Sequence, residues 1–265
     1  MNILDQLAAH ARKRVAEKEK KISCNELRER ALATPRGAFS FENALKDGSD
    51  IHFICECKKA SPSKGLIAED FPYAEIARDY EAAGASAISV LTEPKWFLGS
   101  DDYLREIAEM VHIPVLRKDF TVSPYMIYEA KLLGASAVLL ICAILTDKEL
   151  RDDLAVADEL GLSCLVEAHD EEEVKRAHAA GARVIGVNNR NLRDFTVDLG
   201  NSIRLRELVP REDAVFVAES GIRTALDVRT LVENGVQAVL IGETLMRAAD
   251  KRAMLNELRG TGTRS

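Results

Sequence analysis

An α/β fold that closes as a (β/α)₈ barrel is the fold class that this sequence predicts. From residue 51 onward, eight nearly continuous apolar runs alternate with segments of helical period, as expected of parallel strands covered by helices. A pattern in which a helix ends at a glycine and a strand follows recurs at 81–88, 131–138, 178–185 and 232–239. Each of these glycines is expected in the left-handed conformation that ends helices. A doubly wound open sheet is the alternative, but no G-x-G-x-x-G motif follows any predicted strand.

The chain before the first strand predicts helices that pack against the barrel. Residues 3–21 place five apolar side chains at helical spacing, namely Leu4, Leu7, Ala8, Ala11 and Val15. Residues 22–50 are mostly connecting chain, with a short helix expected at 24–33. Because barrels of this kind commonly reach this length as one unit, we expect a single domain over residues 1–265, with residues 1–48 as an N-terminal helical extension.

Strands and helices then alternate towards the end of the chain. The apolar runs predict strands at 51–57, 86–91, 113–118, 135–141, 162–167, 183–188, 214–219 and 237–241. The segments between them predict helices at 72–83, 101–111, 124–133, 147–160, 171–180, 201–209, 223–234 and 243–258. Three helix starts carry capping signals, in the pairs Thr146 with Glu149, Asp170 with Glu173, and Ser123 with Pro124.

The charge balance limits the partners. The chain has 36 Lys and Arg against 43 Asp and Glu, a net charge of −7. Nucleic acids and anionic membranes are bound through basic surfaces, so neither is expected as a partner. No apolar run approaches the roughly 20 residues of a membrane helix. A phosphorylated small molecule is still compatible with the negative net charge, because a single cationic pocket can bind a phosphate on a protein that is negative overall.

The N-terminus and the cysteines favour a cytoplasmic protein. Glu17 and Glu19 lie in a segment that lacks the apolar core of a signal peptide and the acid-poor composition of a transit peptide. The five cysteines form no C-x-x-C pair, so buried, reduced thiols are expected in place of a structural zinc site. The five histidines also lack helical metal-ligand spacing, and no metal is expected.

Polar residues gather where the predicted strands end, which in barrels is where active sites lie. Glu56 and Lys58 are two residues apart on the first strand and therefore share a face; on this stretch alone, a strand-end salt bridge is the alternative. Later strands add Lys118, Glu167, Asn188 and Glu219. Carboxylates and lysines packed around one mouth shift each other's pKa values, as acid–base catalysis near neutral pH requires. A purely structural ring is the other interpretation.

The last two strands suggest a phosphate site. Ser220-Gly221 follows the seventh strand and Gly242-Glu243 follows the eighth. Glycines there expose backbone N–H groups, and a helix N-terminus adds partial positive charge. Turns also use these residues without any ligand. At the same rim, Pro62, Phe97, Phe120 and Leu192 suggest an apolar shelf for a planar substrate, with core packing as the alternative.

Taken together, these segments resemble the indole-3-glycerol phosphate synthase family, from about residue 3 to residue 258. The matching pieces are ECKKASPSKG at 56–65, SAISVLTE at 86–93, FLGS at 97–100, PVLRKDF at 114–120, LVEAHDEEE at 165–173, IGVNNRNL at 185–192, VAESGI at 217–222 and LIGETLM at 240–246. The resemblance implies a TIM barrel that converts 1-(2-carboxyphenylamino)-1-deoxyribulose 5-phosphate to indole-3-glycerol phosphate, carbon dioxide and water in tryptophan biosynthesis. It also implies that the reaction needs no metal or organic cofactor.

The resemblance also implies roles for individual residues. Lys118 would protonate the substrate carbonyl as the ring carbon attacks it, and Lys58 would act as an acid or a substrate clamp. Glu167 and Glu56 would supply or accept protons at dehydration. The division of proton transfers between the two lysines stays open at this point.

The remaining matched positions would surround the substrate. Asn188 and Glu219 would hold it and stabilise a cationic intermediate, and Ser61 lies in the loop that would close over it. The phosphate would be surrounded by Arg190, Ser220, Gly221, Gly242 and Glu243, the last through its backbone N–H. The aromatic ring would be flanked by Pro62, Phe97, Phe120 and Leu192.

Two other functions remain as alternatives. A Schiff-base aldolase would use Lys118 as a nucleophile with a lowered pKa. A non-catalytic phosphate-ligand sensor would bind without turnover. We expect a monomer, with a homodimer as the alternative.

Overall fold

Eight parallel strands close into a barrel in the computed structural model, which describes residues 2–46, 51–191 and 194–260. The strands are β1 (His52–Cys57), β2 (Ala87–Leu91), β3 (Val115–Lys118), β4 (Ala137–Ile141), β5 (Ser163–Ala168), β6 (Val184–Asn188), β7 (Val215–Glu219) and β8 (Ala238–Ile241). Each strand pairs with its neighbours in sequence, and β1 pairs with β8, which closes the barrel. The predicted TIM barrel is confirmed.

The helices are α1 (Ile3–Glu19), α2 (Cys24–Leu32), α3 (Ser40–Ala44), α4 (Tyr73–Ala82), α5 (Asp101–Met110), α6 (Pro124–Leu132), α7 (Asp147–Leu160), α8 (Glu171–Ala179), α9 (Gly200–Arg206), α10 (Ala225–Glu233), α11 (Glu243–Arg247) and α12 (Lys251–Leu258). The single helix predicted over 243–258 is wrong. Ala248 is extended, and the Asp250 side chain accepts a hydrogen bond from the Ala253 N–H, so a second helix starts there. The five-residue helix α3 was not predicted, and neither was the short pairing of Ala60–Ser61 with Gly65–Leu66.

The helix ends follow the sequence signals closely. The pattern glycines Gly84, Gly134, Gly181 and Gly235 all have positive φ, from 79° to 86°. Ser123 caps α6 with proline at its start, and Thr146 and Glu149 form the expected capping box. Asp170 caps α8, but the carboxylate of Glu173 bonds to His169 instead of completing a box.

Two helices of the N-terminal segment lie at opposite ends of the barrel. In α3, the Glu42 N–H donates to the hydroxyl of Ser163, the first residue of β5, which places α3 at the N-terminal ends of the strands. In α1, the Arg14 guanidinium donates to both carboxylate oxygens of Asp119, at 3.1 and 2.6 Å, just after β3. Helix α1 therefore lies beside the opposite end, where the predicted site residues gather. The boundary of the extension at residue 48 stays a prediction.

The barrel interior is filled by apolar side chains that are fully or almost fully buried, among them Ile54, Leu116, Leu139, Leu165, Val184, Val217 and Leu240. A larger apolar layer lies between the strands and the outer helices. This packing fixes the strand ends, so the polar residues there are held on a rigid frame. In the part of the chain that the structure describes, no helix is long and apolar enough to cross a membrane.

Candidate active site

A cavity of about 560 Å³ opens at the carboxyl ends of the strands. It is lined by all the predicted site residues that the structure describes: Glu56, Lys58, Ser61, Pro62, Phe97, Lys118, Phe120, Glu167, Asn188, Arg190, Glu219, Ser220, Gly221, Gly242 and Glu243. Leu192 lies outside the described residues. The barrel thus brings together side chains from β1, β3, β5, β6 and β7 that are up to 163 residues apart (56 to 219). We call this space the mouth cavity.

Lys118 lies between two carboxylates near the centre of the mouth cavity. Its Nζ is 3.2 Å from Glu167 Oε2 and 3.3 Å from Glu219 Oε2. Burial alone would lower the pKa of Lys118, but the charges of Glu219 and Glu167 outweigh burial and hold this pKa well above its usual value. Lys118 is therefore an ammonium group that can donate a proton. An aldolase nucleophile needs the opposite shift.

The two carboxylates on Lys118 have different surroundings. Burial raises the pKa of both groups. Around Glu167 the charge of Lys118, the ring of His169 and the Asn188 amide outweigh burial, so its pKa lies well below the usual value. Glu219 faces Lys118 alone among these donors, and its pKa rises to about 7. Its Oε1 is buried without a hydrogen-bond partner among the described residues.

Glu56 and Lys58 form the salt bridge that the first strand suggested, with 2.5 Å between Nζ and Oε1. Ser89 on β2 donates a long hydrogen bond of 3.5 Å to the other oxygen of Glu56. Gly242 makes room for this pair: a Cβ at that position would lie 2.3 Å from Glu56 Oε1 and 2.7 Å from Lys58 Nζ. Glu56 and Lys58 therefore form a salt bridge and also line the mouth cavity, so the two interpretations of this pair are compatible. Glycine is needed at position 242 because a side chain there would clash with the pair.

The turn after β7 is shaped by backbone geometry. Ser220 and Gly221 both have positive φ, of 68° and 85°. A Cβ at Gly221 would lie 2.3 Å from Val197 Cγ1, so no larger residue fits there. The buried Asn189 holds the turn by donating its side-chain N–H to the Ser220 carbonyl, at 3.2 Å.

Cationic side chains surround the same side of the mouth cavity. Lys64, Arg190, Arg223 and Arg247 all line it. The Glu243 side chain lies among them, with its Oε1 3.1 Å from Arg247 Nε and 3.6 Å from Lys64 Nζ. This carboxylate was not anticipated, because the sequence comparison assigned Glu243 only a backbone contact.

An apolar wall faces the charged groups. The rings of Phe97 and Phe120 lie 6.0 Å apart between centroids and are tilted by 40°. Ile3 and Leu7 of α1 complete this side of the cavity lining. Leu7 was among the apolar residues found at helical spacing, whereas Ile3 was not, and the place of both at the mouth depends on how α1 docks, which spacing does not reveal.

Histidine 169 is the main residue that the sequence analysis missed. It follows β5 directly, and its Nε2 lies 3.3 Å from Glu167 Oε1. Strand alternation could have indicated it, because residues 167 and 169 fall on one face of an extended segment.

Comparison with known proteins identifies the family. The family model described as indole-3-glycerol phosphate synthase matches residues 4–258. The chain belongs to the indole-3-glycerol phosphate synthase family. A family member from Ruminiclostridium cellulolyticum is 60% identical over 260 residues, which cover 98% of this chain and 99% of the relative. Another, from Endomicrobium trichonymphae, is 54% identical over 258 residues, covering 97% and 99%.

Solved structures outside the indole-3-glycerol phosphate synthase family share the barrel. The 3-hexulose-6-phosphate synthase of Salmonella typhimurium superposes with a TM-score of 0.65 at 15% identity, over 80% of this chain and 98% of that chain. Thiamine phosphate pyrophosphorylase from Pyrococcus furiosus gives 0.60 at 18% identity, over 80% and 95%. At such low identities, the likeness shows the fold alone.

Proposed function

We propose that this chain closes the indole ring, converting 1-(2-carboxyphenylamino)-1-deoxyribulose 5-phosphate to indole-3-glycerol phosphate, carbon dioxide and water in tryptophan biosynthesis. Membership of the indole-3-glycerol phosphate synthase family supports this activity. The observation that carries the mechanism is a lysine whose Nζ lies 3.2 Å and 3.3 Å from the oxygens of two carboxylates with different surroundings. An apolar wall on one side of them and cations on the other match the two ends of this substrate.

Ring closure begins with a proton transfer from Lys118. As the ring carbon that bears the carboxylate attacks the ribulose carbonyl, the Lys118 ammonium protonates the carbonyl oxygen and prevents an alkoxide from forming. Loss of carbon dioxide then restores the aromatic ring. The substrate ring lies against Phe97 and Phe120, where a carboxylate is poorly solvated and departs more readily.

Dehydration needs an acid and a base. The hydroxyl group formed by ring closure leaves as water after gaining a proton, and the neighbouring carbon loses a proton to form the indole double bond. Glu167 is ionised and suits the base, while Glu56 and the adjacent Lys58 supply a second carboxylate–ammonium pair beside the substrate. Asn188 and Glu219 hold the cationic intermediate.

The phosphate end of the substrate meets the cationic side of the mouth cavity. Arg190 and the left-handed turn at Ser220 and Gly221 supply a guanidinium and backbone N–H groups there. Lys64, which also lines the cavity, adds a further positive charge from the loop after β1. Ser61 and Pro62 of the same loop lie over the substrate.

We propose a cytoplasmic monomer, with a homodimer as the alternative. The buried free thiols of Cys55, Cys57, Cys142 and Cys164 support a reducing compartment. No cluster of three or more His, Cys, Asp or Glu that could hold a metal occurs in the described ranges. The molar mass measured by light scattering during size-exclusion chromatography decides between a monomer and a dimer.

The direct test is to add the carboxyphenylamino substrate to the purified protein and follow indole fluorescence. We expect the signal to grow with each turnover and with enzyme concentration. Binding without product would favour the sensor, and loss of substrate without indole would favour other chemistry. Borohydride added with substrate tests the aldolase, for which a covalent adduct at Lys118 is the signature.

A further inference from the structure

His169 connects the first turn of α8 to the catalytic carboxylate Glu167. Its backbone N–H donates to Glu173 Oε2 at 2.8 Å, and its ring Nδ1 lies 3.0 Å from the same oxygen. The other ring nitrogen, Nε2, is 3.3 Å from Glu167 Oε1. The side chain is 19% exposed and lies outside the lining of the mouth cavity. Histidine 169 therefore acts on the reaction only through Glu167.

The contacts of the two ring nitrogens with carboxylates favour a proton on each of them. An ionised carboxylate only accepts, so the short contact with Glu173 places a hydrogen on Nδ1. A neutral ring would then present the lone pair of Nε2 to the carboxylate of Glu167. Nε2 is buried and forms no hydrogen bond of acceptable geometry among the described residues, so its 3.3 Å contact with Glu167 Oε1 is an ion-pair contact. The contact is favourable only when a proton lies between Nε2 and Glu167, as it does when the ring is an imidazolium.

The surrounding charges favour the imidazolium. Burial lowers the pKa of His169, but the contacts with Glu167 and Glu173 outweigh burial and raise it to about 10. Arg176 lies close enough to Glu173 to interact with it, yet its guanidinium bonds to Asp147 and to backbone carbonyls. The other titratable groups that face Glu167 are Lys118 on β3 and Glu219 on β7, with the thiol of Cys142 after β4.

We propose that His169, held by Glu173, is a positioning residue that keeps Glu167 ionised and fixed, so that of the two carboxylates sharing Lys118, Glu167 acts as the base. The contacts of the two carboxylates stabilise the charge of Glu167 more than that of Glu219. Glu167 faces the ring of His169, the Asn188 amide and Lys118, whereas one oxygen of Glu219 has no described partner. This inference rests on the proposed function, because it assigns roles within that reaction.

Replacing His169 with glutamine tests the proposal through the pH profile of kcat. Removing the cation raises the pKa of Glu167, and the base form exists only above that pKa, so the acidic limb moves to higher pH. We expect a shift of about one pH unit, which means roughly tenfold lower turnover at acidic pH. Glu173→Gln keeps an acceptor for Nδ1 but removes the charge, and should shift the limb in the same direction by less. The matched control is His178→Gln: His178 lies on α8 and forms an exposed pair with Asp213 in the turn before β7.

A second measurement does not depend on turnover. Nitrogen-15 NMR of the histidine rings, with the His169 signals assigned by their loss in His169→Gln, should show both ring nitrogens protonated at pH 7. A neutral ring at pH 7 overturns the proposal, and so does a variant whose turnover falls equally at every pH. If the wild-type protein forms no indole product, the proposed function fails, whereas the protonation state of His169 is still measured.

Discussion

Glu219 and Asp153 are two buried carboxyl groups whose pKa values rise to about 7. Glu219 lines the mouth cavity and faces a lysine. Asp153 lies on the inner face of α7, and its Oδ2 has no hydrogen-bond partner among the described residues. Burial is the main cause of its raised pKa, and the charges of Glu149 and Asp152 add to it. Asp153 is outside the cavity lining, so it should affect stability without touching the substrate.

We predict that Asp153→Asn stabilises the protein at alkaline pH. Because the folded pKa lies above that of the unfolded chain, the wild type loses stability as the pH rises from about 4 to about 7, and the loss is complete above that range. The full shift corresponds to on the order of 4 kcal/mol. Urea unfolding at pH 8 and at pH 4 measures the difference.

The neighbouring exposed residue provides the control. Asp152→Asn removes a charge from the same helix turn and breaks a surface pair with Lys148. Because the Asp152 charge is a smaller cause of the raised Asp153 pKa than burial, this variant should change stability by about 1 kcal/mol or less. An Asp153→Asn gain that is equally large at pH 4 would contradict the ionisation argument.

At the scale of elements, the loop after β1 meets helix α11 across the mouth cavity. Lys64 in that loop and Arg247 in α11 both face the carboxylate of Glu243, while Arg190 adds its charge nearby. A substrate phosphate approaching these cations must compete with that carboxylate. We therefore expect Glu243 to weaken phosphate binding, while its pairs with Lys64 and Arg247 keep the loop close to the helix.

We predict that Glu243→Gln strengthens inhibition by inorganic phosphate. Releasing partly exposed ion pairs is worth up to about 1 kcal/mol, so the inhibition constant should fall by up to about fivefold. Glu233→Gln, on the exposed face of α10, is the matched control and should leave the constant unchanged. Weaker inhibition in Glu243→Gln would mean that this carboxylate holds the cations in place for phosphate.

The elements differ in how much of them the sequence could predict. The strands begin and end within two residues of their predicted limits. Each apolar run marks its strand clearly, because the barrel sheet is where these residues are buried. The split between α11 and α12 was missed because one side chain, Asp250, decides it by capping a new helix. The contact between Lys64 and Glu243 depends on how two loops meet in space, and no spacing along the chain encodes that.

Site residues were predictable where strand alternation applies. Glu56, Lys118, Glu167 and Glu219 are the last or last but one residues of their strands and line the same mouth, where the barrel brings them together. Their unequal basicity was not predictable, because it depends on which donors face each oxygen. The alternation argument that predicted Glu167 would also have predicted His169 on the same face two residues later.

At the scale of the whole molecule, α1 joins the barrel through polar and aromatic contacts. Arg14 pairs with the buried Asp119, and the ring of His10 meets the edge of Trp96 at 5.3 Å between centroids. Trp96 is the only tryptophan of the chain and lies in the loop after β2. Its emission therefore reports on the docking of α1, whereas far-UV circular dichroism reports mainly on the barrel.

We predict that both signals lose their native values at the same urea concentration, because a single domain over residues 1–265 unfolds as one unit. Coincident midpoints would support the single-domain prediction. A Trp96 transition at clearly lower urea would show that the N-terminal helices detach first, and would make the extension an independent unit.

The central claim is that the Lys118 ammonium is the proton donor for ring closure. The measurement that tests it most directly is the turnover of Lys118→Ala, followed by indole fluorescence, with substrate binding measured separately. The exposed Lys175→Ala on α8 serves as the control. We predict that Lys118→Ala binds the substrate but turns over on the order of 10²–10⁴ times more slowly, the usual contribution of a general acid. Turnover close to that of the wild type would contradict the account.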